Sequence, residues 1–203
     1  MALPPGKRLG PYEILGPLGA GGMGEVYKAH DTRLDRIVAL KVMPEHFADR
    51  PDLKERFHRE AKALANLNHA HICILYDIGK ENGISFLVME YLEGETVAER
   101  LKRGPLPLAK VLEYAIEIAD ALDKAHRKGF THRDIKPANI MLTKEGGTKL
   151  LDFGLAKLKH EMDAAIPPDE RPTKMSMSLT ADGTILERYN TWPRNRWKAR
   201  QMI

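Results

Sequence analysis

The sequence contains one cysteine, Cys73, which excludes an internal disulfide and any metal site built from several thiolates, and suits a reducing compartment. Cys73 itself is read as a small core residue. No apolar run approaches the ~20 residues of a membrane span, and residues 1–10, with Pro4, Pro5, Lys7 and Arg8, hold no apolar stretch of signal-peptide length. Nothing in the chain therefore directs export, and a cytoplasmic location without a membrane segment is expected. Excess charge is also lacking over most of the length. The formal net charge is +4, and Arg188, Arg194, Arg196, Lys198 and Arg200 against Glu187 carry all of it. The part before them offers no basic face, so no nucleic-acid partner is expected. His69 and His71 have no Cys, Asp or third His at a ligand spacing nearby and are read as a turn, not a metal site.

What the sequence does contain is a dense run of chemistry-bearing residues. His132-Arg133-Asp134 is followed by Lys136 and Asn139, and then, beyond a short hairpin, by Asp152-Phe153-Gly154. The Asp134 carboxylate can orient a substrate hydroxyl and accept its proton. Asn139 and Asp152 offer oxygens for Mg²⁺ ions bridging phosphates, and Lys136 can reach a transferred phosphoryl group as a point charge. Five residue types in this register read as a phosphoryl-transfer site. They resemble the catalytic loop and metal-binding motif of bacterial Ser/Thr protein kinases of the eukaryotic type. The resemblance implies ATP and Mg²⁺ as cofactors and a protein substrate bearing Ser or Thr; Lys136 goes with Ser/Thr over Tyr specificity in that family.

Upstream, Tyr12 to Leu18 reads as a short strand running into Gly19-Ala20-Gly21-Gly22-Met23-Gly24-Glu25-Val26, the pattern G-x-G-x-x-G-x-V. A dinucleotide fold uses the same glycines, but there the loop opens a helix, whereas Val26 to Ala29 continues as a second strand. The glycines let backbone N–H groups close over phosphates. By resemblance, Leu18, Gly19, Ala20, Gly21, Gly22, Met23, Gly24 and Val26 line the ATP site, and Val38-Ala39-Leu40-Lys41 is the strand whose Lys41 contacts the α and β phosphates. Asp52 to Asn66 reads as a helix, with Leu53, Phe57, Ala61 and Leu64 at helical spacing. Glu60, in an Arg-Glu-Ala context, is expected to pair with Lys41 in preference to Glu55, and Leu64 to face the core.

Strands are expected at 71–77 and 84–91, the second leading into a hinge. There the resemblance gives Glu90 and Leu92 backbone bonds to adenine, places Met89 behind the base and Met141 and Ala39 around it. A short helix over 94–101 and a long one over 107–128 follow. The long one carries an apolar stripe of Val111, Tyr114, Ala115, Ile118, Ala119, Leu122 and His126, and stops at Gly129. The polar stretch after Leu158 reads as an activation loop. Its Thr173, Ser176, Ser178 and Thr180 are candidate phosphorylation sites, and a phosphate there would meet Arg133.

The expected fold is α+β and kinase-like. It has a five-stranded N-lobe plus one helix (12–92, with the hinge) after an extension (1–11), and an incomplete helical C-lobe (93–158). The activation loop (159–186) and a basic tail (187–203) complete the chain. The tail departs from the family pattern, yet codons for it can be chosen that, read from the third base of the Leu186 codon, spell Gly-Thr-Leu-Gln-Tyr-Met-Ala-Pro-Glu-Gln-Val-Glu-Gly-Lys-Ala-Asp-Asp. The fixed Trp192 and Trp197 codons fall into place. A single-base loss near Leu186 that truncated a kinase gene is therefore expected, and sequencing the gene there checks it: a downstream frame with no kinase lobe contradicts it. Two functions stay open, a Ser/Thr protein kinase and a catalytically dead ATP-binding fragment.

Overall fold

The computed structural model describes residues 3–21, 24–44 and 51–153, without the side chains of residues 21, 51–54, 56 and 63. These residues all belong to one compact unit, Met1–Ile166. The activation loop, its four hydroxyl residues, Gly154 and the basic tail lie outside the described residues.

Six strands form the first sheet: β1 (Arg8–Leu9), β2 (Tyr12–Gly21), β3 (Gly24–Asp31), β4 (Arg36–Val42), β5 (Leu75–Glu81) and β6 (Ile84–Glu90), in the order β1-β2-β3-β4-β6-β5, every pair antiparallel. The sixth strand, β1, was not expected; two residues are too few to show an alternating pattern. The strand expected at 71–77 runs instead over β5, because the chain at Ile72 and Cys73 bonds elsewhere, to Leu150. Alternation sorts the side chains by face. Tyr12, Ile14, Tyr27, Ala29, Val38, Leu40, Phe86 and Val88 make one apolar layer. Met43, Leu87 and Met89 on the other face meet Phe57 and Ala61 of the helix α1 (Pro51–Leu64). Leu64, one turn on, is buried as expected, in a third cluster with Ile72, Ala121, Ala125, Leu150 and Phe153. Through that cluster α1 links the sheet to the remainder of the described chain.

After the sheet come β7 (Gly94–Thr96) and α2 (Val97–Leu101), where one short helix was expected. The division has a local cause: Thr96 and Glu99 form a capping box that starts the helix only at Val97. Then follow α3 (Leu108–Arg127), a 3₁₀ turn at Pro137–Asn139, β8 (Ile140–Thr143) and β9 (Thr148–Leu150), with β7-β8-β9 forming a small sheet. The end of α3 is as expected. Gly129, at φ 81°, donates to the His126 carbonyl, and Phe130 donates to that of Ala125, a Schellman closure that favours glycine.

The inward face of α3 differs from expectation. Ala121 and Ala125 are buried, with Ile118 and Leu122 packed beside them, while Val111, Ala115, Ala119 and His126 are exposed. The helix is turned so that a second apolar strip, including Leu108 (74% exposed), Leu112 (55%) and Ile116 (70%), faces away from the described core. Ile116→Glu should therefore leave thermal stability of the chain within about 0.5 kcal/mol and raise its solubility. A melt showing a loss above about 2 kcal/mol, the scale of a buried aliphatic side chain, would mean that the strip is packed. Among the described residues no helix is long and apolar enough to cross a membrane.

Candidate active site

A cleft of about 710 Å³ lies between the two sheets. Its roof comes from the β2–β3 hairpin and β4. Gly21 pairs across the hairpin with Gly24, and Val26 with Lys41 of β4, so the glycine loop is a strand–loop–strand flap and no helix follows it. Gly24 has φ 107°, and a Cβ there would strike the Val42 carbonyl; only glycine fits this crossing. Leu18, Gly19, Ala20, Gly24, Val26, Ala39 and Lys41 all line the cleft. Gly22 and Met23 lie outside the described residues, and of Gly21 only the backbone is described. Met89, Glu90 and Leu92 line the back and Met141 the floor.

The polar end of the cleft gathers residues distant in sequence. Lys41 is only 4% exposed; β4 is interior in its sheet, and its residues 38–41 are buried on both faces. The Lys41 ammonium meets Asp152 Oδ1 at 2.6 Å. Among the described residues no hydrogen bond or ion pair joins it to Glu60, which is half-buried on α1. Phe57, Ala61 and Leu64 occupy the inward stripe of that helix, and the buried ammonium is paired with Asp152. The expected Lys41–Glu60 pair is thus replaced here by Lys41–Asp152.

Asp134 is held from two sides. Lys136 Nζ lies 2.7 Å from its Oδ2, and Asn139 Nδ2 donates to the same oxygen at 3.1 Å and to the Asp134 carbonyl at 2.8 Å. Asn139 is buried, and its backbone carbonyl accepts from the amide of Leu151, the residue before Asp152, at 2.9 Å. Arg133 and Asp152 have φ of 66° and 54°, left-handed values uncommon away from glycine, at a cost of about 1–3 kcal/mol each. The Asp152 side chain is held by Lys41. Lys41, Asp134, Lys136, Asn139 and Asp152 therefore meet at one end of one cleft, and Glu60 does not.

His132, to which sequence reading gave no task, supports that end. It is fully buried, its ring meets the Phe153 ring at 4.8 Å, its Nε2 bonds the Leu151 carbonyl at 2.9 Å, and its Nδ1 accepts the Asp134 amide at 3.3 Å. These bonds require the neutral ring with hydrogen on Nε2. Burial, the largest cause, lowers its pKa from the ordinary 6.5. A depressed folded value makes this stability complete above pH 6.5 and lost as pH falls through the folded pKa. The melting temperature should accordingly drop between pH 7 and pH 5, and more steeply than in His132→Asn; equal slopes would remove His132 from the cause. Thr96, Glu99 and Lys144 also line the cleft without having been singled out. The capping-box spacing of Thr96 and Glu99 was a visible signal; Lys144 had none.

His69 and His71 serve as connectors. His69 Nε2 meets Asp120 of α3 at 3.1 Å, and His71 Nδ1 bonds the Thr148 carbonyl at 2.9 Å. Cys73 is half-buried with its thiol toward the Glu90 carbonyl at 3.7 Å, and burial, then the Glu90 charge, pushes its pKa up to about 12. That thiol is inert as a nucleophile at neutral pH.

The family described as protein kinase domain matches residues 12–176. A probable serine/threonine-protein kinase of Streptomyces coelicolor is 48% identical over 157 residues, 74% of this chain and 23% of its own length. The serine/threonine-protein kinase PknD of Mycobacterium tuberculosis is 40% identical over 186 residues, 91% of this chain and 26% of its own. PrkC of Bacillus subtilis, also a serine/threonine-protein kinase, is 42% identical over 153 residues, 74% and 24%. A crystal structure of the Mycobacterium tuberculosis PknI kinase domain superposes with a TM-score of 0.70 at 37% identity, covering 76% of this chain and 64% of that one. The chain thus spans about a quarter of the curated relatives it matches and under two thirds of the solved domain. The family model matches most of the chain and the fold superposes on a solved kinase domain, and the chain belongs to the protein kinase domain family.

Proposed function

We propose that the cleft binds Mg·ATP and that the site serves transfer of its γ-phosphoryl group to Ser or Thr hydroxyls of a protein. The observation that carries the reading is that one cleft is lined by two bonded groups, Lys41–Asp152 at 2.6 Å and Lys136–Asp134–Asn139 at 2.7–3.1 Å, tied to each other by the Leu151 amide on the Asn139 carbonyl at 2.9 Å. The apolar part of the cleft suits adenine between Ala39 and Met141, with the backbone of Glu90 and Leu92 at its edge. Lys41 is assigned to the α and β phosphates. Asp134 orients the attacking hydroxyl and takes its proton, and Lys136 steadies the transferred group.

The donor set fits Mg²⁺. Asp152 uses one oxygen on Lys41, and Asn139 spends its amide nitrogen on Asp134, which leaves an oxygen of each as a hard ligand. Among the described residues no group of three or more His, Cys, Asp or Glu could hold a metal alone. Two protein ligands completed by phosphate and water is the usual magnesium arrangement. Bound there, the ion supplies charge neutralisation on the phosphates. Glu60 is assigned as the partner Lys41 takes once Asp152 turns to the metal.

A second reading, an ATP-binding fragment without transfer activity, is favoured by the Lys41–Asp152 pair itself, since it holds the Lys41 ammonium on Asp152 Oδ1 and away from a phosphate. Incubation with ATP labelled at the γ phosphorus and a protein acceptor tests between them. Phosphoester on Ser or Thr supports the kinase reading, while ATP bound with no label transferred supports the fragment. Label found only on Tyr would overturn the substrate assignment.

A further inference from the structure

Beside Asp152 three chain segments meet that do not follow one another in sequence. β9 bonds to residues 71–73: the Leu150 amide donates to the His71 carbonyl and the Cys73 amide to that of Leu150, each at 2.9 Å. The hinge end of β6 bonds to the same segment one step further on, the Glu90 amide donating to the Ile74 carbonyl at 2.9 Å. The segment is thus an intermediary between β6 and β9. One side chain spans it. Glu90 Oε2 accepts the Ile74 amide at 3.2 Å, and both Glu90 carboxylate oxygens accept Lys149 Nζ, at 2.9 and 2.8 Å.

This is not an ordinary surface pair. The two side chains keep only 21% and 18% of their exposure, both carboxylate oxygens are engaged, and a backbone amide shares one of them. Bidentate, partly desolvated pairs hold geometry better than exposed ones. Its position carries the consequence. Glu90 contributes the hinge, to which adenine is assigned, and Lys149 lies three residues before Asp152, to which the metal is assigned. We infer that the Glu90–Lys149 pair, braced by the Ile74 amide, is a positioning clamp that sets the spacing between the hinge and the Asp152 carboxylate. The inference rests on the Mg·ATP reading of the cleft, and one arm of its test does not.

The test uses chain 1–203 and the variants Glu90→Gln, Lys149→Met and the double E90K/K149E. Without nucleotide, hydrogen exchange at the Cys73 and Leu150 amides should quicken about tenfold in each single variant, while exchange in β2 and β3 stays unchanged. With nucleotide, the Lys149→Met variant, whose residue does not line the cleft, should lose about fivefold or more in Mg·ATP affinity, and its adenosine affinity should change by less than about twofold. The double variant restores opposite charges, but a lysine at position 90 cannot accept from Ile74. Exchange at Leu150 should therefore recover while that of the Ile74 amide stays fast. Unchanged exchange in both single variants would overturn the clamp. So would equal losses of adenosine and Mg·ATP affinity that track the melting temperature, because the pair would then be merely structural. If the unsubstituted chain binds no nucleotide, the Mg·ATP reading fails, and the exchange arm still decides the clamp.

Discussion

Asp134→Asn is expected to lower phosphoryl transfer to protein by about 10²–10⁴-fold while Mg·ATP affinity stays within about threefold of the original. Asparagine matches aspartate in shape and keeps an oxygen for the Asn139 amide and the Lys136 ammonium, which meet Asp134 Oδ2 at 3.1 and 2.7 Å. What it loses is the capacity to accept a proton. The hydroxyl nucleophile is then neither oriented by a charge nor deprotonated as its bond to phosphorus forms. The comparison is made between the original chain and the variant with the same protein acceptor. Steady-state rates at saturating ATP and equilibrium titrations check the two halves separately. A parallel fall in rate and nucleotide affinity would show that Asp134 acts by holding the loop, not by chemistry.

Lys41→Met should weaken Mg·ATP binding by about 10- to 150-fold, the range of a charge-assisted hydrogen bond worth ~1.5–3 kcal/mol. Methionine preserves most of the apolar stem of a residue that is 4% exposed, so packing on β4 is retained. The change removes the ammonium that meets Asp152 at 2.6 Å. Asp152 is left without that donor, but its side chain is 28% exposed and water can replace it, which limits the stability loss to about 1 kcal/mol. Adenosine has no phosphates and should bind the variant as it binds the original. If adenosine and ATP weaken alike, Lys41 shapes the cleft instead of contacting phosphate.

The polar end of the cleft was legible because its residues keep a fixed register. Asp134, Lys136 and Asn139 lie within one loop, and Asp152 follows one short hairpin later, so their meeting needed little tertiary information. Lys41 was legible through the resemblance, which matches Val38-Ala39-Leu40-Lys41 to the family's third strand. The pairing of Lys41 was not legible. Glu60 and Asp152 are both plausible carboxylates, and which one the ammonium meets depends on how α1 sits against the sheet. The face of α3 was misread because two apolar strips run along it, and periodicity alone does not say which is inward; the small Ala121 and Ala125, which let β9 and Phe153 approach, were the informative residues. The Glu90–Lys149 contact was invisible for lack of any local pattern, its partners being 59 residues apart.

The most direct measurement is a calorimetric titration of folded chain 1–203 with ATP, in Mg²⁺ and again in excess chelator, on the original protein and on Asp152→Asn. The account predicts binding with one nucleotide per chain in Mg²⁺, a marked weakening in chelator, and an Asp152→Asn variant whose affinity no longer depends on the metal. A folded sample that binds no ATP in Mg²⁺, or binds it equally well in chelator, would contradict the assignment of this cleft as a phosphoryl-transfer site.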